Sequence, residues 1–477
     1  MRIRTFLSSF VILFVILLAS LLATGQVKLP DTPAGQRLSG WLAAFDSGDK
    51  ATFLAFLQKN YPARVAEIDG AMAFREDTGG FDLKKVEECG ATKCSAILKE
   101  RNSDQFARIV MDVESTDAHV IKGVEVRAIP RPAEFALARM NEGDALKAFR
   151  QYLDEAAASD RFSGTALVAK NGKPVFTAAY GMADREKKVP NTVDTKFRIG
   201  SMNKMFTATA VLQLVQAGKI GLNDPLNKFL PDYPNKDLAS KVTIHHLLTH
   251  TGGTGDFFGP EFDKHRLELK TLQDYLKLYD NRGLAFEPGS KWDYSNYGFL
   301  LLGIVVEKAS GQDYYEYVRT HIFQPAGMKS TDSLPEDQAV PDRSVGYTKM
   351  DSKEWGRNDD TLPYRGTSAG GGYSTVGDLL AFANALENHT LLDAQHLELL
   401  TVGKIERPGG GKYAYGFADQ ISGDGVRCFG HGGGAPGMNG ELKICPDSGY
   451  VIAVLANLDP QAASHAADFI VERLPAK

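Results

Sequence analysis

The stretch Phe197-Arg198-Ile199-Gly200-Ser201-Met202-Asn203-Lys204-Met205-Phe206 decides how this chain is read. Beyond it, Ala208, Ala210, Val211, Leu212, Leu214 and Val215 join Met205 and Phe206 mostly on one stripe, which predicts a helix from Met205 to Ala217. Ser201 and Lys204 stand three residues apart at the head of that helix, so hydroxyl and amine share one face of its first turn. There the amine can take the hydroxyl proton, while free N-terminal amides favour developing negative charge. A nucleophile with its own base points to acyl-transfer hydrolysis.

Ser47-Gly48-Asp49-Lys50 has the same spacing, and chance alone supplies about one such match in a chain of ordinary composition. It lies in a polar turn between two helical segments, whereas a short apolar approach and a glycine lead straight into Ser201. Context assigns the nucleophile to Ser201.

The 477 residues suffice for two or three domains with real cores. With 54 basic and 59 acidic residues, a net charge of -5 and no Lys/Arg cluster, no nucleic-acid surface is expected. Arg2 and Arg4 precede an apolar run from Phe10 to Ala23, and Ala23-Thr24-Gly25 offers small residues for signal cleavage before Gln26. The run approaches the roughly 20 residues that span a bilayer, so a retained inner-membrane anchor at 1–25 is the competing expectation. Either way the bulk of the chain is exported, to be periplasmic or secreted. Four cysteines suit that oxidising compartment. Of their three pairings, Cys89 with Cys94 and Cys428 with Cys445 join close neighbours; four buried thiols are the alternative.

Residues 26–130 read as a small α+β accessory domain. Helical stripes run through Leu38–Phe45 and Ala51–Leu57, and strand-like alternation follows at Lys93–Arg101, Phe106–Glu114 and His119–Ile129. That order loosely resembles the NTF2-like cone folds and holds no catalytic cluster. Pro130-Arg131-Pro132 marks a boundary, with a linker over 131–144 and a second domain over 145–477. There a helix (Ala145–Ala158) and a hairpin turned at Lys170-Asn171-Gly172 precede a helix-rich middle. Strands return at Ala414–Ile421, Val426–Phe429, Gly440–Ile444 and Val451–Ala456, and a helix (Ala462–Leu474) closes the chain. Strands at both ends of a helical block predict one antiparallel sheet in an α+β fold.

Two further elements carry chemistry. Tyr294-Ser295-Asn296 occupies a polar turn just before an apolar helix, Phe299 to Ala309, a setting that displays a side chain into a cleft. Tyr233-Pro234-Asn235 and Tyr279-Asp280-Asn281 repeat the spacing in a loop and at a helix end. His431-Gly432-Gly433-Gly434 opens a glycine-rich segment between two predicted strands, where substrate can lie against backbone and amides can face an oxyanion. Gly430-x-Gly432-x-x-Ala435 matches a dinucleotide fingerprint in spacing, but a strand follows it, so no nucleotide site is expected.

In this order the three elements resemble the serine β-lactamases and penicillin-recognising enzymes, especially the class C-like branch with its D,D-peptidases, D-aminopeptidases and esterases. Ile244-His245-His246-Leu247-Leu248-Thr249-His250-Thr251, Glu287-Pro288-Gly289 and Gly370-Gly371-Gly372-Tyr373-Ser374 add to the likeness, which runs from about residue 145 to 475. The resemblance implies a class C β-lactamase-like transpeptidase fold, an antiparallel sheet beside an all-helical region. It implies Ser201 as nucleophile, Lys204 as its proton partner and Tyr294 as general base and acid. It also implies Asn296 as a contact to the substrate amide, the backbone amides of Ser201 and Gly434 as oxyanion hole, and His431 and Gly433 beside the substrate. His431 stands where many relatives carry the lysine of Lys-Thr-Gly. A histidine with a pKa near ~6.5 is largely neutral at pH 7. The expected substrate is therefore a small ester, amide or peptide without an obligatory carboxylate.

A tyrosine titrates near ~10, so serving as a base at pH 7 takes about 4 kcal/mol of phenolate stabilisation. A helix N-terminus supplies at most about 2 kcal/mol. Either the Lys204 ammonium, with or without a protonated His431, supplies the remainder, or neutral Lys204 is the base and Tyr294 relays the proton; both stay open. Competing readings are a β-lactamase or peptidase acting on peptidoglycan-like substrates, a metal hydrolase built on His245, His246, His250 and His431, and a non-catalytic binding protein. The glutamate of His-Glu-x-x-His is missing, so neither metal nor cofactor is expected.

Overall fold

The computed structural model describes residues 27–116, 118–350, 354–408 and 410–477; the export signal or anchor expected at 1–25 lies outside them. Three helices, α1 (Pro33–Asp46), α2 (Lys50–Asn60) and α3 (Ile68–Thr78), lead into strands β1 (Phe81–Cys89), β2 (Lys93–Glu100), β3 (Phe106–Val113) and β4 (Ile121–Ile129). The strands form an antiparallel meander in chain order. Thr32 and Asp49 cap α1 and α2 by accepting from the amides of Gly35 and Thr52. Leu38, Trp41, Phe45 and Phe53 pack on Ala96, Ile109 and Met111 in a core separate from the rest of the chain. Neither α3 nor β1 is among the elements expected from sequence periodicity. Strand β1 lies at the sheet edge, buries only Phe81, and carries Asp82, Lys84, Lys85, Glu87 and Glu88, charges suited to an unpaired edge.

After the linker come α4 (Glu142–Ala158) and the hairpin β5 (Gly164–Lys170) and β6 (Lys173–Tyr180). Asn171 (φ 49) and Gly172 (φ 75) make its two-residue turn. A helical block follows, with α5 (Asn203–Gln216) and α6 (Asn296–Ser310) at its centre. The late strands are β7 (Ile405–Glu406), β8 (Lys412–Tyr413), β9 (Ala418–Ile421), β10 (Arg427–Ala435), β11 (Met438–Cys445) and β12 (Tyr450–Ala456), ahead of α7 (Ala462–Val471). One eight-stranded antiparallel sheet has the order β7-β8-β9-β10-β11-β12-β5-β6, so both ends of the domain meet at the β12–β5 pair. Helices α4 and α7 cover one face through Phe149, Leu153 and Ile470. The helical block covers the other through Met202, Phe206 and Val211.

The glycine-rich segment expected between two strands lies instead within β10, with His431 opposite Leu442 and Gly433 opposite Gly440. Close packing explains the glycines: a Cβ at Gly433 would lie 1.9 Å from the carbonyl oxygen of Ile199. Disulfides join Cys89 to Cys94 across the β1–β2 hairpin and Cys428 to Cys445 across β10 and β11. The N-terminal helices and meander are tied to the rest of the chain by Arg473–Asp104 (2.8 Å) and Lys349–Glu76 (2.7 Å), and Arg131, just after β4, pairs with Glu472 (2.6 Å). Among the described residues no helix is long and apolar enough to cross a membrane.

Candidate active site

Gly200 (φ 52) takes a left-handed conformation that only glycine adopts cheaply, and this turns the chain into a short 3₁₀ turn, Gly200–Met202. Ser201 thus stands just ahead of α5 rather than within its first turn. The tighter 3₁₀ winding brings side chains three apart nearly into line. Lys204 Nζ lies 3.1 Å from Ser201 Oγ, 2.7 Å from Asn296 Oδ1, and also hydrogen-bonds the carbonyl of Ala369. Lys204 is fully buried. Burial pulls its pKa down to about 7, and the field of Asp256 only partly opposes that fall.

Tyr294 leaves the polar turn before α6 and lies over Lys204, whose Nζ is 4.7 Å from the ring centroid. Burial raises the Tyr294 pKa, and its contact with the Ser201 hydroxyl offsets this only in part. His250 packs its ring 4.3 Å from that of Tyr294 and accepts the Ser295 amide on Nδ1 at 3.0 Å. The Ser295 hydroxyl in turn caps α6 by accepting from the Gly298 amide at 2.9 Å. Sequence reading made Asn296 a substrate contact. In the folded chain both ends of its amide are engaged: Oδ1 by Lys204, and Nδ2 as donor to Asp256 Oδ2 at 2.7 Å.

His431 is buried beside Tyr294, with ring centroids 6.4 Å apart. Its Nδ1 lies 2.5 Å from the Gly432 carbonyl and must donate there, so Nε2 accepts from the Tyr413 hydroxyl at 3.0 Å. Burial, reinforced by Lys204, lowers its pKa to about 3, and the ring is neutral. Gly433 fits against Ile199, and the amide of Gly434 approaches Gly200 so closely that a Cβ there would lie 3.1 Å from it. Ser201, Tyr294, His431, Gly432, Gly434 and Arg407 face a common cavity of about 480 Å³.

The rival motifs lie elsewhere. Ser47 Oγ donates to the Ala44 carbonyl, Lys50 pairs with Asp69, and the Tyr233 hydroxyl meets that of Tyr297. His245 pairs with the Tyr415 hydroxyl, and His246 accepts from the Thr243 amide. Among the described residues no three His, Cys, Asp or Glu side chains are grouped to hold a metal ion. The sequence does not single out Asp256, the Ala369 carbonyl, Tyr413 or Arg407, and it offers His250 as a metal ligand or as part of the Ile244–Thr251 stretch, without a role beside Tyr294. Arg407 lines the cavity, while Asp256, the Ala369 carbonyl, His250 and Tyr413 contact Asn296, Lys204, Tyr294 and His431 from other segments of the chain, which no local pattern reveals.

A helical block and an antiparallel sheet meeting at a half-buried serine hydrogen-bonded to a buried lysine define the β-lactamase-like class of serine hydrolases. The Beta-lactamase family model matches residues 149–477, and the chain belongs to that family. It is 30% identical over 315 residues to penicillin-binding protein 4* of Bacillus subtilis, a match covering 62% of this chain and 68% of that protein. It is 38% identical over 205 residues to esterase EstB of Burkholderia gladioli, covering 39% of this chain and 52% of the relative. A D-stereospecific amidohydrolase from Streptomyces sp. superposes with a TM-score of 0.58 at 29% identity, over 68% of this chain and 97% of its own.

Proposed function

We propose that this chain is an exported hydrolase that cleaves a small ester or amide through a Ser201 acyl-enzyme. One observation carries the reading: fully buried Lys204 has three hydrogen-bond neighbours, of which two are obligatory acceptors. A neutral amine fits them, donating to Asn296 Oδ1 and the Ala369 carbonyl and turning its lone pair to the Ser201 hydroxyl. A pKa near 7 keeps that form available at neutral pH. Burial opposes the phenolate of Tyr294, so Lys204 is the base and Tyr294 the relay.

In this mechanism Ser201 Oγ attacks the substrate carbonyl carbon as its proton passes to Lys204 Nζ. The oxyanion is held by the amides of Ser201 and Gly434. The proton then moves through the Tyr294 hydroxyl to the leaving oxygen or nitrogen as its bond to carbon breaks. Water repeats the sequence in reverse roles and frees the acid. Neutral His431 offers no fixed cation for a carboxylate, which favours esters and simple amides. The names of the esterase and amidohydrolase relatives agree with that substrate range. Export is supported by the Arg2/Arg4-led apolar run and by the two disulfides.

The test is covalent labelling with a fluorophosphonate, mapped by peptide mass. The expected result is modification of Ser201 in the wild type and none in Ser201→Ala. Labelling that survives in Ser201→Ala, or is absent from both, overturns the reading.

A further inference from the structure

The accessory meander, the linker and the late sheet enclose a second cavity of about 470 Å³. Phe106 and Ile129 line it from the accessory domain, Ala136 and Leu137 from the linker, Ile421 from the end of β9 and Val426 from the turn before β10. Its volume falls in the range of ~300–1,000 Å³ that small-molecule sites occupy. Ile421 is 68% exposed, although it belongs to a strand of the catalytic sheet. With Phe106, Ile129, Leu137 and Val426 lining the same groove, Ile421 is part of an apolar wall rather than a lone exposed side chain.

This cavity continues the nucleophile's own. Arg407, Gln420, Lys443 and Asp468 line both. The charges at the junction are largely settled internally: Lys443 lies 2.8 Å from Asp468 and 3.8 Å from Glu441, Arg139 pairs with Asp424 at 2.6 Å, and Arg131 with Glu472. Arg407 is different. Its Nε donates to the Gly410 carbonyl, and among the described residues no carboxylate lies within ion-pair distance of it. No ion pair therefore ties Arg407 across the junction, and its side chain forms part of the passage wall.

The direction of the passage follows from the mechanism. The proton for the departing group comes through Tyr294, so that group lies on the Tyr294 and His431 side of the scissile bond. His431 and Arg407 line the same cavity, and Arg407 opens into the second one. We propose that the groove between the accessory domain and the sheet is the leaving-group subsite, and that it selects esters and amides whose leaving group is extended and apolar. This rests on the hydrolase reading above and gives the accessory domain a role: it builds one wall of the substrate cleft.

The experiment compares ethyl butyrate with hexyl butyrate in a pH-stat, for the full chain and for Ala136→Trp and Ile421→Asp. Both substituted positions are exposed, so folding is preserved, and the first fills the groove while the second makes its wall polar. The wild type is expected to favour the hexyl ester by about tenfold or more in kcat/KM. Each variant is expected to lose most of that preference while its ethyl butyrate turnover stays within about twofold of wild type. A protein labelled at Ser201 that shows no preference for the longer ester overturns the groove assignment alone, as do variants that lower both esters equally. Failure of Ser201 labelling overturns the hydrolase reading beneath it.

Discussion

Lys204 meets an amide where a carboxylate would hold it charged: its Nζ is 2.7 Å from Oδ1 of Asn296, whose other end is tied to Asp256. The nearest negative charge is thus kept one residue away. Desolvation then dominates over attraction, and the amine's pKa comes down to about 7.

The relationship sets the pH dependence. Lys204 must be neutral to accept the serine proton, so kcat/KM should fall about tenfold per pH unit below pH 7 and level off above it. A flat profile between pH 5 and 7 would remove lysine from the role of base. The same shift has a stability sign. The native lysine binds fewer protons than the unfolded one between about pH 7 and ~10.4, so its contribution to stability rises with pH there. The stability advantage of Lys204→Met over wild type, measured by denaturant melts, should accordingly shrink from pH 7 to pH 10.

Asp256 is the one charge that raises the Lys204 pKa. Asp256→Asn should therefore move the acid limb of the rate profile to lower pH, by up to about one unit. A shift to higher pH contradicts the assignment of that limb to Lys204.

Lys204→Ala should abolish acylation, seen as loss of the burst with a p-nitrophenyl ester. Tyr294→Phe keeps the base and removes the relay, so kcat should drop by roughly 10²–10⁴ while the acid limb near pH 7 persists. If Tyr294→Phe erases that limb instead, the tyrosine owns it.

With His431 neutral and its ring nitrogens engaged by Gly432 and Tyr413, p-nitrophenyl esters should exceed penicillins in kcat/KM. Comparable values for a cephalosporin panel would show that a cation for the carboxylate comes from elsewhere.

Just after β4, Arg131 binds Glu472 through both Nε (3.1 Å) and Nη2 (2.6 Å), with its side chain only 11% exposed. Arg131→Ala should cost about 1–3 kcal/mol and speed proteolysis within 131–144. A thermal midpoint equal to wild type would show that the N-terminal meander is held by other contacts.

Much of this molecule was legible in its residues. The Ser201–Lys204 spacing, the Asn171-Gly172 turn and the stripe from Met205 onward are local signals, and local geometry answers them. The edge strand Phe81–Cys89 escaped because a charged edge carries no alternation. The Gly432–Gly434 run reads as a gap between two strands, since a strand that glycine keeps thin looks like a turn when its packing partner, Ile199, lies far away in sequence.

What the sequence determined alone was the pairing of a hydroxyl with an amine one turn away, and an antiparallel sheet closed by both ends of its domain. Tertiary structure decided the charge on that amine, because burial, the Ala369 carbonyl and the Asn296–Asp256 link come from segments far apart in the chain. It also decided where Arg407 and the accessory domain stand relative to Ser201. Periodicity encodes which face of an element is buried; it does not encode which distant groups share the resulting cavity, and there the protonation states are set.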